Sequence, residues 1–172
     1  MHGTYFQYGL LAALAIALLI AAFTDFRSRR IANWLNGAIA LGAPLYWWAS
    51  GLSLLPSGPS LFSPSSIVMQ FAVALATFVV LAGLFAIRAM GGGDVKLLTA
   101  LALWIEPLQF LKLLIIMALV GGLLTVVFGS WHVIRHRKDR LAIPYGVAIA
   151  IAGLFVLGTH YLPSAYGGGA GL

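Results

Sequence analysis

Long apolar runs, broken by short polar stretches, dominate this chain. The five longest runs cover residues 8–23, 31–50, 67–87, 108–131 and 141–162. Each run is close to the ~20 residues that a helix needs to cross ~30 Å of hydrocarbon. A further segment lies between Asp94 and Glu106 and, as a helix of roughly 18 Å, is shorter than the hydrocarbon core. The pattern predicts six transmembrane helices, of which the fourth is short and shielded by its neighbours.

Composition agrees with this pattern. Hydrophobic residues make up 62% of the 172 residues and charged residues only 8%, and the mean hydropathy is +1.01. A soluble domain of this composition would lack the polar residues to cover its surface. We therefore predict an all-α, polytopic membrane protein with a single domain over residues 1–172, a flexible glycine-rich tail at residues 167–172, and the lipid bilayer as its surroundings.

The positions of the basic residues predict an orientation. Nine of the ten lie in three connections, at residues 25–30, 88–96 and 132–140, and the tenth is Lys112. Cytoplasmic loops carry an excess of Lys and Arg, so the N-terminus is expected outside and these three connections inside. The net charge of +6 is thus explained by topology, and no nucleic-acid partner is predicted. On the outer side, the pair Trp47-Trp48 is placed like an interfacial aromatic belt.

Cysteine is absent, which excludes disulfides, thiolate zinc sites and a cysteine nucleophile. The four histidines are scattered between chain ends and loops, and only His132 and His136 have a spacing that could share a helix face. A metal site there would lack a third ligand other than Asp139. We predict neither a metal site nor a cofactor.

The run Gly91-Gly92-Gly93 before Asp94 is the most unusual polar stretch. Successive glycines permit a close approach of the backbone to another helix and dihedral angles that other residues avoid. An ionisable residue this close to a hydrophobic span suggests a functional site and needs a partner. The predicted topology places Asp25, at the end of the first helix, on the same side of the membrane.

Each acidic residue also has a structural interpretation. The four are Asp25, Asp94, Glu106 and Asp139. Asp139, among basic residues, is expected to form solvated ion pairs, and Glu106, before a proline in a turn, is expected to be structural. Asp25 could simply end its helix, and Asp94 could cap the next one, where the helix dipole favours negative charge. Taken singly, these interpretations are as good as functional ones.

As a pair, the two aspartates are suited to acid–base chemistry. Two carboxylates brought together near the membrane interface cannot both ionise cheaply, so they share a proton. One can then take a proton from water while the other donates to a scissile carbonyl, which is peptide hydrolysis. The helix N-terminus behind Asp94 favours its ionised form, which makes Asp25 the expected protonated partner.

These residues resemble the type IV prepilin peptidases, membrane aspartic proteases with a Gly-x-Gly-Asp motif. The resemblance rests on Asp25 at the end of the first helix, Gly91-Gly92-Gly93-Asp94 before the fourth, and Ile143-Pro144-Tyr145-Gly146 at the start of the last. It implies that Asp25 and Asp94 are the catalytic pair and that the other motif residues support them. It also implies a prepilin or pilin-like substrate, whose short basic leader is cut at the cytoplasmic face of the bacterial inner membrane.

The chain departs from that family's pattern in two places. Members commonly have Ile-Pro-Asn after the first aspartate, whereas this chain has Ile31-Ala32-Asn33, so a less kinked start of helix two is expected. Larger members carry an N-methyltransferase segment with paired cysteines, which this chain lacks. The resemblance is therefore to the small, peptidase-only form linked to tight-adherence or Flp-type pili, and no methyltransferase activity is predicted.

Other interpretations stay open at this point. A presenilin-like intramembrane protease shares Gly-x-Gly-Asp but usually has Tyr before its first aspartate, where this chain has Thr24. A small proton-coupled transporter also uses buried acids, although no inverted repeat is visible. Asn33 and Lys96 could orient a substrate, or serve as a helix cap and an interfacial charge.

Overall fold

The computed structural model of the protein describes residues 2–54, 66–134 and 144–161. Its helices are α1 (His2–Ser28), α2 (Asn33–Ser50), α3 (Ile67–Ala86), α4 (Gly92–Ala102), α5 (Pro107–Ile134) and α6 (Tyr145–Val156), followed by a π-helical turn at Leu157–Tyr161. Within these ranges the only β pairing is an isolated bridge between Ser53 and Ser66. The all-α prediction is confirmed. Most of the outer loop, the basic connection with Asp139 and the glycine-rich tail lie outside the described residues.

Among the described residues, three helices are long and apolar enough to cross a membrane: Tyr5–Ser28, Ile67–Ala86 and Pro107–Trp131. The last helix and its π-helical turn form a shorter apolar segment, Tyr145–Tyr161. These helices confirm a polytopic membrane protein, while the total of six spans stays a prediction. The first helix extends beyond its apolar run and ends at Ser28, so Asp25 lies in its last turn.

The short helix α4 lies in the centre of the fold, against α2, α3 and α6. Of its 11 residues, seven are buried: Asp94, Val95, Leu97, Leu98, Ala100, Leu101 and Ala102. By contrast, much of α3 and α5 is exposed, as expected of helices that face lipid. The predicted short and shielded fourth helix is therefore confirmed.

Two side chains bind the backbone at the C-terminal end of α4. The Trp47 indole N–H donates to the carbonyl of Leu103 at 2.7 Å. In the orientation that satisfies its polar atoms, the Gln70 amide donates to Ala102 at 2.9 Å and Ile105 at 3.0 Å. The last carbonyls of a helix have no partner within the helix itself, and apolar surroundings offer no water to replace one. These bonds allow α4 to end within the protein interior.

The expectation that Trp47 and Trp48 form an aromatic belt is wrong for Trp47. Consecutive residues on a helix point about 100° apart, so the two rings cannot share one environment. Trp47 is 5% exposed and faces α4, whereas Trp48 is 79% exposed. Only Trp48 is placed as an interfacial residue would be.

Replacing Trp47 with Phe should destabilise the protein, because the change removes the N–H donor and leaves the Leu103 carbonyl unbonded in an apolar interior. Such a loss costs about 1–3 kcal/mol, with a further cost for the unfilled volume. Trp48→Phe makes the same chemical change at an exposed position and is the matched control. Thermal unfolding of the detergent-solubilised protein should show a lower midpoint for Trp47→Phe alone. Equal midpoints for the two variants would contradict this role of Trp47.

Candidate active site

Asp25 belongs to the buried face of α1. The buried residues of this helix are Leu11, Leu14, Leu18, Ala21 and Asp25. Their alternating spacing of three and four residues traces one face of a helix, and Asp25 continues it to the last turn. The carboxylate is only 7% exposed. Its Oδ2 accepts a hydrogen bond from the Gly146 backbone N–H, at 2.8 Å, across 121 residues of sequence.

Asp94 lies in the first turn of α4. The helix begins at Gly92 with Gly91 as its N-cap, and the Asp94 N–H donates to the Gly91 carbonyl at 3.1 Å. The Asp94 side chain is 8% exposed. The sequence allowed Asp94 to be a cap or a first-turn acid, and the structure places it in the first turn.

The glycine run is needed for space rather than for unusual dihedral angles. Gly91 has φ −74° and ψ 141°, a conformation open to most residues, and among the described glycines only Gly51 has a positive φ. The dihedral part of our expectation is therefore wrong. A Cβ on Gly91 would lie 2.8 Å from Asp94 Oδ2, and one on Gly93 would lie 3.3 Å from Ile31 Cβ. The predicted close approach to another helix is present at Gly92, where a Cβ would lie 3.2 Å from Phe85 Cε2 of α3.

Gly146 approaches Asp25 as closely as Gly91 approaches Asp94. A Cβ there would lie 2.8 Å from Asp25 Cβ and 2.9 Å from its Cγ and Oδ2. Pro144 is the N-cap residue of α6, so Gly146 lies in the first turn of the helix. Backbone N–H groups in a first turn have no partner within the helix, and the Gly146 N–H can therefore donate to another segment. Tyr145 packs over Gly121 of α5. The motif Pro144-Tyr145-Gly146 thus brings a backbone donor to Asp25.

Asp25 and Asp94 line the same cavity, which has a volume of about 310 Å³. The other lining residues are Arg29, Arg30, Ile31, Asn33, Gly91, Gly92 and Gly93. The volume exceeds the ~30 Å³ share of one water molecule many times over, so water and part of a peptide fit together. We expected Arg29 and Arg30 only to fix the orientation in the membrane. Because they follow Asp25 closely in the sequence, their position could have indicated that they lie near the site.

Asp94 lies outside the three membrane-spanning segments, and its environment disfavours a charge. Burial, followed by the neighbouring charge of Asp25, raises the pKa of Asp94 from 3.8 to about 7, although a hydrogen bond from the Gly91 backbone to the Asp94 carboxylate opposes this rise. Below that pH, this environment favours the protonated form of Asp94. This reverses our expectation that the helix N-terminus keeps Asp94 ionised, because burial and a like charge outweigh the dipole.

Asn33 and Lys96 are bonded to each other at the edge of the cavity, with Lys96 Nζ 2.9 Å from Asn33 Oδ1. The N-cap of α2 is Ala32, which makes no side-chain cap bond, so the interpretation of Asn33 as a helix cap is wrong. Asn36, three residues further along α2, lies with its Nδ2 3.4 Å from the Gly93 carbonyl. Both asparagines therefore connect the start of α2 to the start of α4.

Glu106 has the structural role expected of it. Its Oε2 lies 3.6 Å from His160 Nε2, and its backbone N–H donates to the Tyr161 hydroxyl at 3.2 Å. These contacts tie the start of α5 to the π-helical turn, at the end of α4 opposite Asp94. Asp139, His132 and His136 lie among residues whose side chains are not described.

Comparison with known protein families matches residues 12–130 to the type IV leader peptidase family. The matched segment contains Asp25, Asp94 and the whole glycine run, and it ends before Pro144. No curated protein matches the chain, and no solved structure does. The match covers more than half of the 172 residues, and the chain therefore belongs to the type IV leader peptidase family.

Proposed function

We propose that this protein is a membrane aspartic endopeptidase that removes the short leader of type IV prepilins or pilin-like proteins. Membership of the leader peptidase family supports a protease. The observation that carries the aspartic mechanism is the single cavity that Asp25 and Asp94 share. Two carboxylates at one cavity, of which Asp94 has a raised pKa, are the arrangement that aspartic hydrolysis uses.

In the proposed mechanism, ionised Asp25 takes a proton from a water molecule as the water oxygen attacks the scissile carbonyl carbon. Protonated Asp94 donates its proton to the carbonyl oxygen, which gives a neutral tetrahedral intermediate. Asp25 then passes its proton to the amide nitrogen, Asp94 recovers a proton from the hydroxyl, and the C–N bond breaks. Both carboxyl groups return to their starting states.

The surroundings of each aspartate support this division of roles. The Gly146 N–H donates a hydrogen bond to Asp25 Oδ2. Such a bond stabilises an ionised carboxylate, and it holds the Asp25 side chain in position to take a proton from water. Asp94, with a pKa of about 7, can exchange its proton near neutral pH, where a general acid is most effective. Neither role needs a metal ion or cofactor.

The proposal includes a location and an orientation. The distribution of Lys and Arg supports an N-terminus outside the bacterial inner membrane and both aspartates near the cytoplasmic face. Arg29 and Arg30, which line the cavity with the aspartates, belong to that cytoplasmic set. We do not propose methylation of the cleaved pilin, and the small tight-adherence or Flp pilins are the candidate substrates.

Asp25→Asn and Asp94→Asn should each abolish leader removal, with a loss of roughly 10³-fold or more, because neither acid–base step can be completed. Each variant is co-expressed with a candidate small prepilin, and the pilin N-terminus is identified by mass spectrometry. Glu106→Gln is the matched control, since it neutralises a carboxylate away from the cavity. Near-normal cleavage by either aspartate variant, at equal protein level in the membrane, would overturn the two-aspartate mechanism.

Activity should fall as the pH rises above about 7, since Asp94, whose pKa is raised to about that value, loses the proton it must donate. The kcat/KM of the purified enzyme, measured from pH 5 to 9, reports this ionisation in the free enzyme. Thermal unfolding at each pH separates loss of the proton from loss of the fold. A profile that stays level to pH 9 would show that Asp94 is not the general acid.

Gly146→Ala should lower activity by roughly 100-fold, the cost of a displacement of about 1 Å at a catalytic group. The added methyl group would overlap Asp25, whose side chain would have to move. Gly158→Ala is the control, because a Cβ at Gly158 meets no atom within 4 Å. Equal cleavage rates for the two variants would mean that the contact with Gly146 does not position Asp25.

A further inference from the structure

A second cavity adjoins the one that holds the aspartates. It lies between α2, α3 and α4, has a volume of about 330 Å³, and its lining includes Asn33, Asn36, Gly37, Phe78, Lys96 and Thr99. Asn33 also lines the cavity with the two aspartates, so one side chain separates the two spaces. We call the second space the Lys96 cavity.

The helix α4 supplies one charged residue to each cavity. Asp94 and Lys96 are two residues apart and so point about 200° from each other around the helix. Asp94 therefore faces the first cavity while Lys96 lines the second. The two cavities share Asn33 as a lining residue, and an extended peptide advances about 3.3–3.6 Å per residue. A peptide bound at the aspartates can therefore place a side chain a few residues away in the Lys96 cavity.

Lys96 has no acidic partner among the described residues. Its ammonium donates to the neutral Asn33 amide oxygen at 2.9 Å, and no Asp or Glu lines the Lys96 cavity. The only ion pair in the described part of the chain is that of His160 with Glu106. A carboxylate entering the cavity would form a charge-assisted hydrogen bond with Lys96, which is about twice as strong as a neutral one.

The cavity has room and polar groups for such a ligand. A Cβ on Gly37 would meet no atom within 4 Å, so the α2 wall is open at this position. Phe78 gives the α3 wall an apolar surface. These features fit an acidic side chain, whose methylene groups contact Phe78 and whose carboxylate reaches Lys96.

We propose that the Lys96 cavity is a substrate subsite that binds an acidic side chain near the scissile bond, with Lys96 as the specificity-determining residue. This inference rests on the proposed function, since it needs a peptide substrate at the neighbouring aspartates. Lys96 takes part in no bond-making step, and Asn33 holds its ammonium in place when the subsite is empty.

The test is a charge scan of the substrate. The full-length protein is placed in nanodiscs of zwitterionic lipid with a pilin-like protein that the wild type cleaves. Residues within about five positions of the cleaved bond are changed singly to Glu and to Lys. We expect one position at which the Glu substrate has a kcat/KM roughly tenfold or more above that of the Lys substrate. Lys96→Glu should reverse this preference at the same position, which a purely structural role of Lys96 would not do.

A second variant keeps the test independent of the folding of Lys96→Glu. Gly37→Leu fills the Lys96 cavity from the α2 side and should abolish the preference for Glu. Gly122→Leu is its matched control, since Gly122 also has no atom within 4 Å of a Cβ and lies on α5. This control should retain the preference of the wild type.

Each other outcome has a defined meaning. Cleavage by the wild type without a preference at any position overturns the subsite and leaves the peptidase intact. A preference that survives in both Lys96→Glu and Gly37→Leu also overturns it. If Lys96→Gln lowers cleavage only in nanodiscs that contain anionic lipid, Lys96 binds a lipid headgroup rather than the substrate, which overturns the subsite. If the wild type cleaves no pilin-like protein, the proposed function fails and the subsite falls with it.

Discussion

The need to satisfy backbone carbonyls in an apolar interior governs this fold. An 11-residue helix is roughly 16 Å long and cannot reach across the hydrocarbon, so α4 must end inside the protein. Each carbonyl left unbonded there would cost several kcal/mol. Trp47 from α2 and Gln70 from α3 remove that cost. Because these bonds fix one end of α4 to two neighbours, they also fix Asp94 at its other end beside the start of α2.

Close packing of α1 against α6 places the second aspartate. A Cβ added at Gly146 would lie 2.8 Å from Asp25 Cβ, and one added at Gly153 would lie 2.8 Å from Leu18 Cδ1. Each pair of positions is separated by two helical turns, and the order along α6 is opposite to that along α1. The two helices are therefore antiparallel and share a regular line of contact, along which glycine faces a larger side chain. Asp25 is the last larger residue of that line, so the packing that stabilises the pair of helices also buries the carboxylate.

The sequence predicted the features that depend on the number and length of its apolar runs. The spacing of apolar runs predicted the helices, and the number of runs between Asp25 and Asp94 placed the two residues at the same end of the bundle. It could not predict which of Trp47 and Trp48 faces inward, because both sides of α2 are apolar. Nor could it show why the residues before Asp94 are glycines. That depends on how closely Ile31 approaches Gly93 and the Asp94 carboxylate approaches Gly91 in the folded protein.

The proton assignment failed for a reason that magnitudes make clear. A carboxylate in the first turn of a helix gains about 0.3–1 kcal/mol from the helix dipole, and at most about 2 kcal/mol when partly buried. A pKa of Asp94 raised from 3.8 to about 7 corresponds to about 4 kcal/mol in the opposite direction. The sequence reveals the helix N-terminus, but burial and the charge of Asp25 depend on the packing of four separate segments. The effect visible in the sequence is therefore the smaller one, and the surroundings of Asp94 favour its protonated form.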